Sequence, residues 1–316
     1  MKRSCNPVLF ERHPNNPILS AKDWPYPVNS VFNAGATLVG EEHILVARVE
    51  DRTGMSHLCV ARSHDGVGGW RIDRKPSLLP SPETHPEEMW GIEDPRITWL
   101  EDLGTWAIAY TAYSEAGPLV SLATTEDFVD FKRLGPVMPP EDKDAALFSA
   151  KFDGRYAMLH RPVSAFAGVD KHIWISFSPD LRHWGDHRVL IRARRGGWWD
   201  ANKIGLSPPP LETPEGWLIL YHGARETPAG CIYRLGVALL DREDPNTLIK
   251  RSDRWVFGPQ EPYEISGDVG NVVFPCGWTL NGNELLLYYG AADSCIALAS
   301  AQLTDILAFL KECAQA

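Results

Sequence analysis

The chain repeats one short pattern five times, and that repetition constrains its fold more than any single motif. Each copy is an apolar run, a turn rich in Gly or acid, a second apolar run, a loop and a third apolar run. In the first copy residues 32–39 turn at Gly40-Glu41-Glu42 into 43–48, and 57–61 follow before Ser63-His64-Asp65 and Trp70. The second uses 96–100, 106–110 and 120–123; the third uses 145–152, 156–161 and 173–178 around the Asp153-Gly154 turn. Residues 204–211, 217–222 and 235–240 make a fourth, and 272–280, 285–289 and 296–300 a fifth around Asn281-Gly282-Asn283. Alternation within these runs suits half-buried strands, and a period of about 50–60 residues falls in the range of propeller blades. The expectation is an all-β fold, a five-bladed β-propeller occupying 1–316 as a single catalytic domain, with a two-sheet sandwich as the competing architecture. The Pro-rich segment 1–30 is expected to wrap or help close the ring. Leu303, Ile306, Leu307 and Leu310 mark one face of a short carboxyl-terminal helix over 303–313.

In a propeller the innermost strand of each blade lines the central channel, so polar residues that open these strands face one another. Here they are Asn33, Asp94, Lys143 with Asp144, Lys203 and Asn271. Arg48, Arg161, His222 and Asp293 are expected on loops leaving the second strands, and Trp24, Trp90, Trp198 and Trp199 in loops nearby. Singly, each has a plainer reading. Asp94 before Pro95 could open a strand or pair with Arg96, Lys203 could lay its stem along Ile204, and Asp293 could be a turn acid. Recurrence at equivalent positions argues instead for one pocket of carboxylates, cations and amides, suited to a sugar together with a small anion.

Composition narrows the partners. A formal net charge of −10 works against nucleic acid or an anionic membrane, whose binding rests on a basic face. The 6 cysteines show no CxxC spacing, which fits reduced thiols and a cytoplasmic location. No run is apolar and long enough to span a bilayer, and Met1 to Pro7 lacks the apolar stretch of a signal peptide. No HExxH or other metal-ligand spacing is present, so no metal and no cofactor is expected. Gly66-Val67-Gly68-Gly69 lacks the Lys and Ser/Thr of a phosphate-cradling loop, and no GxSxG elbow occurs.

Several stretches carry a family likeness: Gly91-Ile92-Glu93-Asp94-Pro95-Arg96-Ile97, Lys143-Asp144-Ala145-Ala146-Leu147-Phe148, Tyr156-Ala157-Met158-Leu159-His160-Arg161-Pro162 and Lys203-Ile204-Gly205. Residues 216–223, Asn271-Val272-Val273-Phe274-Pro275 and 288–293 add to it. Together they resemble glycoside hydrolase family 130, the β-mannoside phosphorylases and related β-mannosidases, from about Asn16 to the terminal helix. The resemblance implies a five-bladed propeller that cleaves β-mannosides with inorganic phosphate as co-substrate, inverting the anomeric centre to release α-mannose 1-phosphate. It implies Asp94 as general acid, passing its proton through a hydroxyl of the bound mannose. Asn33, Arg48, Glu93, Asp293 and His222 would hold the sugar, and Lys143, Arg161 and Lys203 the phosphate.

Chemistry independent of the resemblance agrees. An inverting hydrolase needs a second carboxylate as base, whereas phosphate arrives as an anionic nucleophile and needs cations to hold it in line. Hydrolysis by water on the same scaffold, with Asp144 or Glu141 as base, is the enzymatic alternative; a non-catalytic glycan-binding propeller is the other. A homo-oligomer is compatible with either. One departure from the family pattern stands out: after Arg161-Pro162 the chain reads Val163-Ser164-Ala165-Phe166-Ala167-Gly168, without the His that many relatives carry. His160, His172 or His222 could take its place.

Overall fold

The computed structural model describes residues 8–163, 171–228 and 230–314. Five antiparallel sheets follow one another along the chain. Blade 1 is built from Ser30–Val39, Glu42–Glu50, Ser56–Ser63 and Arg71–Ile72, and blade 2 from Ile92–Leu100, Thr105–Ser114, Gly117–Thr125 and Lys132–Pro136. Blade 3 comprises Asp142–Phe152, Arg155–Pro162, Ile173–Ser178 and Gly185–Ile191. In blade 4, Gly216–Thr227 pairs with Gly230–Leu240, which pairs with Leu248–Arg251. Val273–Asn281, Glu284–Ala291 and Cys295–Gln302 form blade 5. This is the expected five-bladed propeller.

Period-two alternation is what stacks the blades, because each strand sends successive side chains to opposite neighbours. Trp217, Ile219 and Tyr221 pack with Phe148, Leu159 and Ile175 of blade 3. From the same strand Leu218 and Leu220 pack with Val273, Leu287 and Tyr289 of blade 5. Equivalent apolar layers join blades 1 and 2, blades 2 and 3, and blades 5 and 1. The core is therefore five inter-blade layers arranged around a polar axis.

Three details differ from the sequence reading. Each of blades 1 to 4 carries a fourth, outer strand that hydrophobic runs alone did not reveal, since an outer strand such as Gly185–Ile191 is exposed and polar at its centre, Asp186-His187-Arg188. The inner strand of blade 4 is broken into Lys203–Leu206 and Leu211–Thr213, both paired to Gly216–Thr227. Ser207-Pro208-Pro209-Pro210 intervenes, and three consecutive prolines offer no N–H for a ladder. A short helix, Pro262–Ile265, joins blades 4 and 5.

The amino-terminal segment supplies the outer edge of the last blade. Glu11–Arg12 pairs with Ala299 and Ser300, and Leu19–Ser20 with Cys295 and Ile296. Arg12 then clamps the buried Glu264 at 2.8 Å from both its Nε and Nη2 atoms. The terminal helix, Leu303–Glu312, buries Ile306, Leu307, Phe309 and Leu310 against blades 4 and 5. Removing residues 1–20 is expected to leave the Cys295–Gln302 strand as an open edge, and open edges template aggregation. Light scattering during thermal unfolding should show an earlier onset of aggregation than in the full chain; an unchanged onset would refute this role.

Candidate active site

Three inner strands share one irregularity near their start. Pairing to the second strand slips between Phe32 and Gly35, between Glu93 and Arg96, and between Lys143 and Ala146. Asn33, Asp94 and Asp144 sit in these β-bulges with φ of 46°, 52° and 55°. Asn and Asp are the non-glycine residues that best tolerate this left-handed region, and a bulge re-aims a side chain that a regular pleat would bury between blades. The recurring polar openings of the sequence are thus one backbone device used three times.

The re-aimed side chains meet. Asn33 Nδ2 donates to Asp94 Oδ1 at 2.9 Å, and Arg48 Nη1 donates to the same oxygen at 3.1 Å. Arg48 Nη2 holds Glu93 Oε1 at 3.0 Å, and its Nε reaches Ser56 Oγ. Lys143 Nζ stands 3.8 Å from Asp94 Oδ2. A second group surrounds Asp144, which takes Arg161 Nε on Oδ2 at 2.7 Å and has His222 Nε2 3.4 Å from the same oxygen. Lys203 completes it, its ammonium 4.8 Å over the ring of Tyr233. His222 lies against Phe274 and Tyr233, with ring centroids 4.7 and 5.8 Å away. Lys143 links the groups, since it is attracted by Asp94, Asp144 and Glu93 and repelled by Arg161.

Beneath both groups Arg96 crosses the channel from blade 2 to blade 4. It is 1% exposed and donates from Nε to the Ser207 carbonyl at 2.6 Å, from Nη2 to Leu206 at 3.0 Å and from Nη1 to Asp94 at 3.1 Å. Its Nη2 is also 3.8 Å from Asp144 Oδ1. Close packing imposes glycine at two places: a Cβ on Gly205 would overlap Asp144 Oδ2, and one on Gly290 would overlap Asn33 Oδ1.

Burial and charge set the protonation states. Burial pushes Asp94 up, but Arg48, Lys143 and Arg96 outweigh it and hold the carboxyl below its ordinary range. Asp144 is buried too, and Arg161 with His222 drives it well below that range. Asp293 goes the other way: burial and the nearby Asp94 charge raise it to about 6, against Arg48 and Lys143. Burial lowers His222 to about 4 despite Asp144, so it is a neutral imidazole at pH 7. Lys203 is pushed below the usual lysine range by burial and then by Arg161.

Asn33, Arg48, Glu93, Asp94, Asp293, Lys143, Arg161, Lys203 and His222 are therefore brought into one electrostatic cluster. Arg48, Arg161 and His222 lie on second strands rather than on the loops after them, opposite Phe32, Lys143 and Gly205. Asn271 is exposed at the entrance with φ 61°. Two of the four tryptophans are core residues, not loop platforms: Trp24 packs among Val28, Val31 and Tyr288, and Trp199 stacks on Tyr221 at 5.6 Å. Trp90 is 43% exposed and Trp198 45% exposed. Residues 164–168, where the family His is missing, lie outside the described residues. Among the three substitutes, His222 is in the cluster; His160 is tied to Asp142 and Ser176, and His172 Nδ1 accepts from the Ala193 N–H. Sequence reasoning missed Tyr233 and the bridging role of Arg96. Arg96 was visible in the Glu-Asp-Pro-Arg run, but its partners are backbone carbonyls about 110 residues away.

A family profile described as β-1,4-mannooligosaccharide phosphorylase matches residues 9–312. The chain belongs to glycoside hydrolase family 130. A β-1,2-mannobiose phosphorylase of Listeria innocua is 41% identical over 81% of this chain and 69% of its own length. The solved complex of the Listeria innocua β-1,2-mannobiose phosphorylase with β-1,2-mannobiose superimposes with a TM-score of 0.86 at 33% identity, covering 96% of this chain and 99% of that chain. A structure from work on family 130 hydrolases that target β-1,2 mannosidic linkages in Candida mannan gives a TM-score of 0.82 at 26% identity, covering 97% and 95%.

Replacing Arg96 by Met is expected to leave two blade 4 carbonyls without their donor and to remove a positive charge 3.8 Å from Asp144. Breaking a buried ion network by removing one partner costs roughly 3–5 kcal/mol. Urea unfolding should show that loss, and a loss below about 1 kcal/mol would remove the cross-channel role.

Proposed function

We propose that this protein is an inverting β-mannoside phosphorylase, which transfers a mannosyl group from a small β-mannoside to inorganic phosphate and releases α-mannose 1-phosphate. The observation that carries this is the division of the cluster: Asp94 lies among Asn33, Arg48 and Glu93, and Lys143 links it to an adjoining group that holds the cations Arg161 and Lys203. Asn33, Arg48, Glu93 and Asp293 surround Asp94 as sugar-binding groups. Lys143, Arg161 and Lys203 hold phosphate, with neutral His222 as a further hydrogen-bond partner at their edge. Asp94 donates the proton that the leaving sugar requires, relayed by a mannose hydroxyl, while phosphate attacks the anomeric carbon from the opposite side.

Hydrolysis is the weaker reading because water needs a second carboxylate as base. Asp144 is committed to Arg161 and His222, and Glu141 packs on Gly117 of the blade 2 hairpin. The names of the relatives make β-1,2-mannobiose the first substrate to try. The exposed Trp90, edge-on to Tyr113 at 5.4 Å and three residues before Glu93, offers a face for the acceptor sugar. A cytoplasmic setting, where phosphate is abundant and thiols stay reduced, agrees with the five described cysteines being unpaired. No helix among the described residues is long and apolar enough to cross a membrane.

The reaction is tested by incubating the protein with β-1,2- and β-1,4-mannobiose with and without phosphate and identifying the released sugar. Phosphate-dependent formation of α-mannose 1-phosphate is expected; free mannose at the same rate without phosphate would overturn the reading. Asp94→Asn should lower turnover by about 10²–10⁴-fold in a folded protein, the usual worth of general acid catalysis.

The field of the cations also fixes a pH behaviour. In the free protein they favour ionised Asp94, which is the wrong form for an acid; a bound phosphate dianion offsets them and raises its pKa. Acid catalysis is lost as pH rises through that pKa, so the alkaline limb of kcat should lie above the alkaline limb of kcat/KM for the mannoside. Coincident limbs would sink the coupling.

A further inference from the structure

Blade 3 contains a hydrogen-bonded chain that takes one side chain from each of its four strands. His160 Nδ1 meets Asp142 Oδ2 at 2.6 Å, His160 Nε2 meets Ser176 Oγ at 2.7 Å, and Ser176 Oγ meets His187 Nδ1 at 2.7 Å. Asp142 belongs to the inner strand, His160 to the second, Ser176 to the third and His187 to the fourth. The first three are buried, at 4%, 2% and 0% exposure, while His187 is at the surface. Although the residue types match a hydrolytic triad, Ser176 has no access to any substrate, so a nucleophilic role is ruled out.

Its position gives it another task. Asp142 immediately precedes Lys143, and His160 immediately precedes Arg161. Lys143 and Arg161 are direct register partners, and the pairing slips just beyond them, before Ala146. Beyond that pair the bulge interrupts the backbone ladder, so on that side the side chains behind the strands help to hold the spacing of the cations. The other oxygen of Asp142 has no partner among the described residues, which leaves His160 as the contact that holds this carboxylate. A carboxylate only accepts, so the Nδ1–H of His160 donates to Asp142; in the neutral imidazole Nε2 then accepts from the Ser176 hydroxyl, whose oxygen accepts from His187. That order leaves no freedom for the imidazole to turn.

We propose that the Asp142–His160–Ser176 chain is a positioning element for phosphate, setting the separation of Lys143 and Arg161 from behind the strand pair that carries them. It rests on the assignment of those two cations to phosphate made above. Its effect falls mainly on one co-substrate: the mannose side of the cluster is anchored on blades 1, 2 and 5 and meets this element only through Lys143.

Initial rates should be measured with phosphate varied at saturating β-mannobiose and the reverse, for His160→Phe, His160→Asn and Ser176→Ala. His160→Phe is expected to raise the KM for phosphate about tenfold with the KM for mannobiose within about twofold. Asn keeps an N–H where Nδ1 stood, and should bring the phosphate KM back to within about threefold of wild type. Ser176→Ala, which removes only the hydroxyl, should raise it about threefold, and decides alone if His160→Phe does not fold. Equal rises in both KM values, or an unchanged phosphate KM in folded Ser176→Ala, overturn the proposal. A wild-type protein that turns over equally without phosphate sinks the assigned reaction and this proposal together; phosphate dependence with unsplit variants sinks the proposal alone.

Discussion

Everything in the pocket depends on one guanidinium that never meets solvent. Arg96 ties blade 2 to the proline-broken inner strand of blade 4, where the ladder stops and two carbonyls would otherwise be orphaned. The same group lies next to Asp94 and Asp144, so the mechanical link across the ring is also a fixed positive charge under both carboxylates. Arginine suits this place because its planar fork serves several acceptors at once and does not lose its charge on burial. Lysine would reach one partner and would face a larger desolvation cost.

Around that bolt, most of the carboxylates and cations alternate. Asp144 lies between Arg161 and His222, Lys143 between Asp94 and Asp144, Arg48 between Glu93 and Asp94. Such a lattice is costly to desolvate, and its members define each other's geometry. A chain of net charge −10 thus still gathers Arg48, Arg96, Lys143, Arg161 and Lys203 around its axis, beside Glu93, Asp94, Asp144 and Asp293.

The architecture was legible because each inter-blade layer needs apolar residues on both faces of the three inner strands of a blade, and those runs are plain in the sequence. Asn33, Asp94 and Asp144 were legible for a different reason, since an Asx residue opening an apolar run is the signature of a left-handed bulge. The outer strands were hidden by their polarity, and the break in blade 4 lay in a proline run read as part of a strand. Trp24 and Trp199 were misplaced because a tryptophan in a loop-like stretch looks the same whether it faces a ligand or plugs the end of a layer. Tyr233 left no signal; it reaches Lys203 only because three strands of blade 4 set Lys203, Ala224 and Tyr233 in line.

The way the ring is sealed bears on how the protein comes into being. Glu11–Arg12 and Leu19–Ser20 have no strand partner until Cys295–Gln302, far along the chain, has been made. Asn33 and Asp293 likewise come from distant parts of the sequence and are neighbours of Asp94 in the folded molecule. A polypeptide interrupted between Lys203 and Val273 therefore holds most of the charged groups of the cluster but not the fifth blade that encloses them.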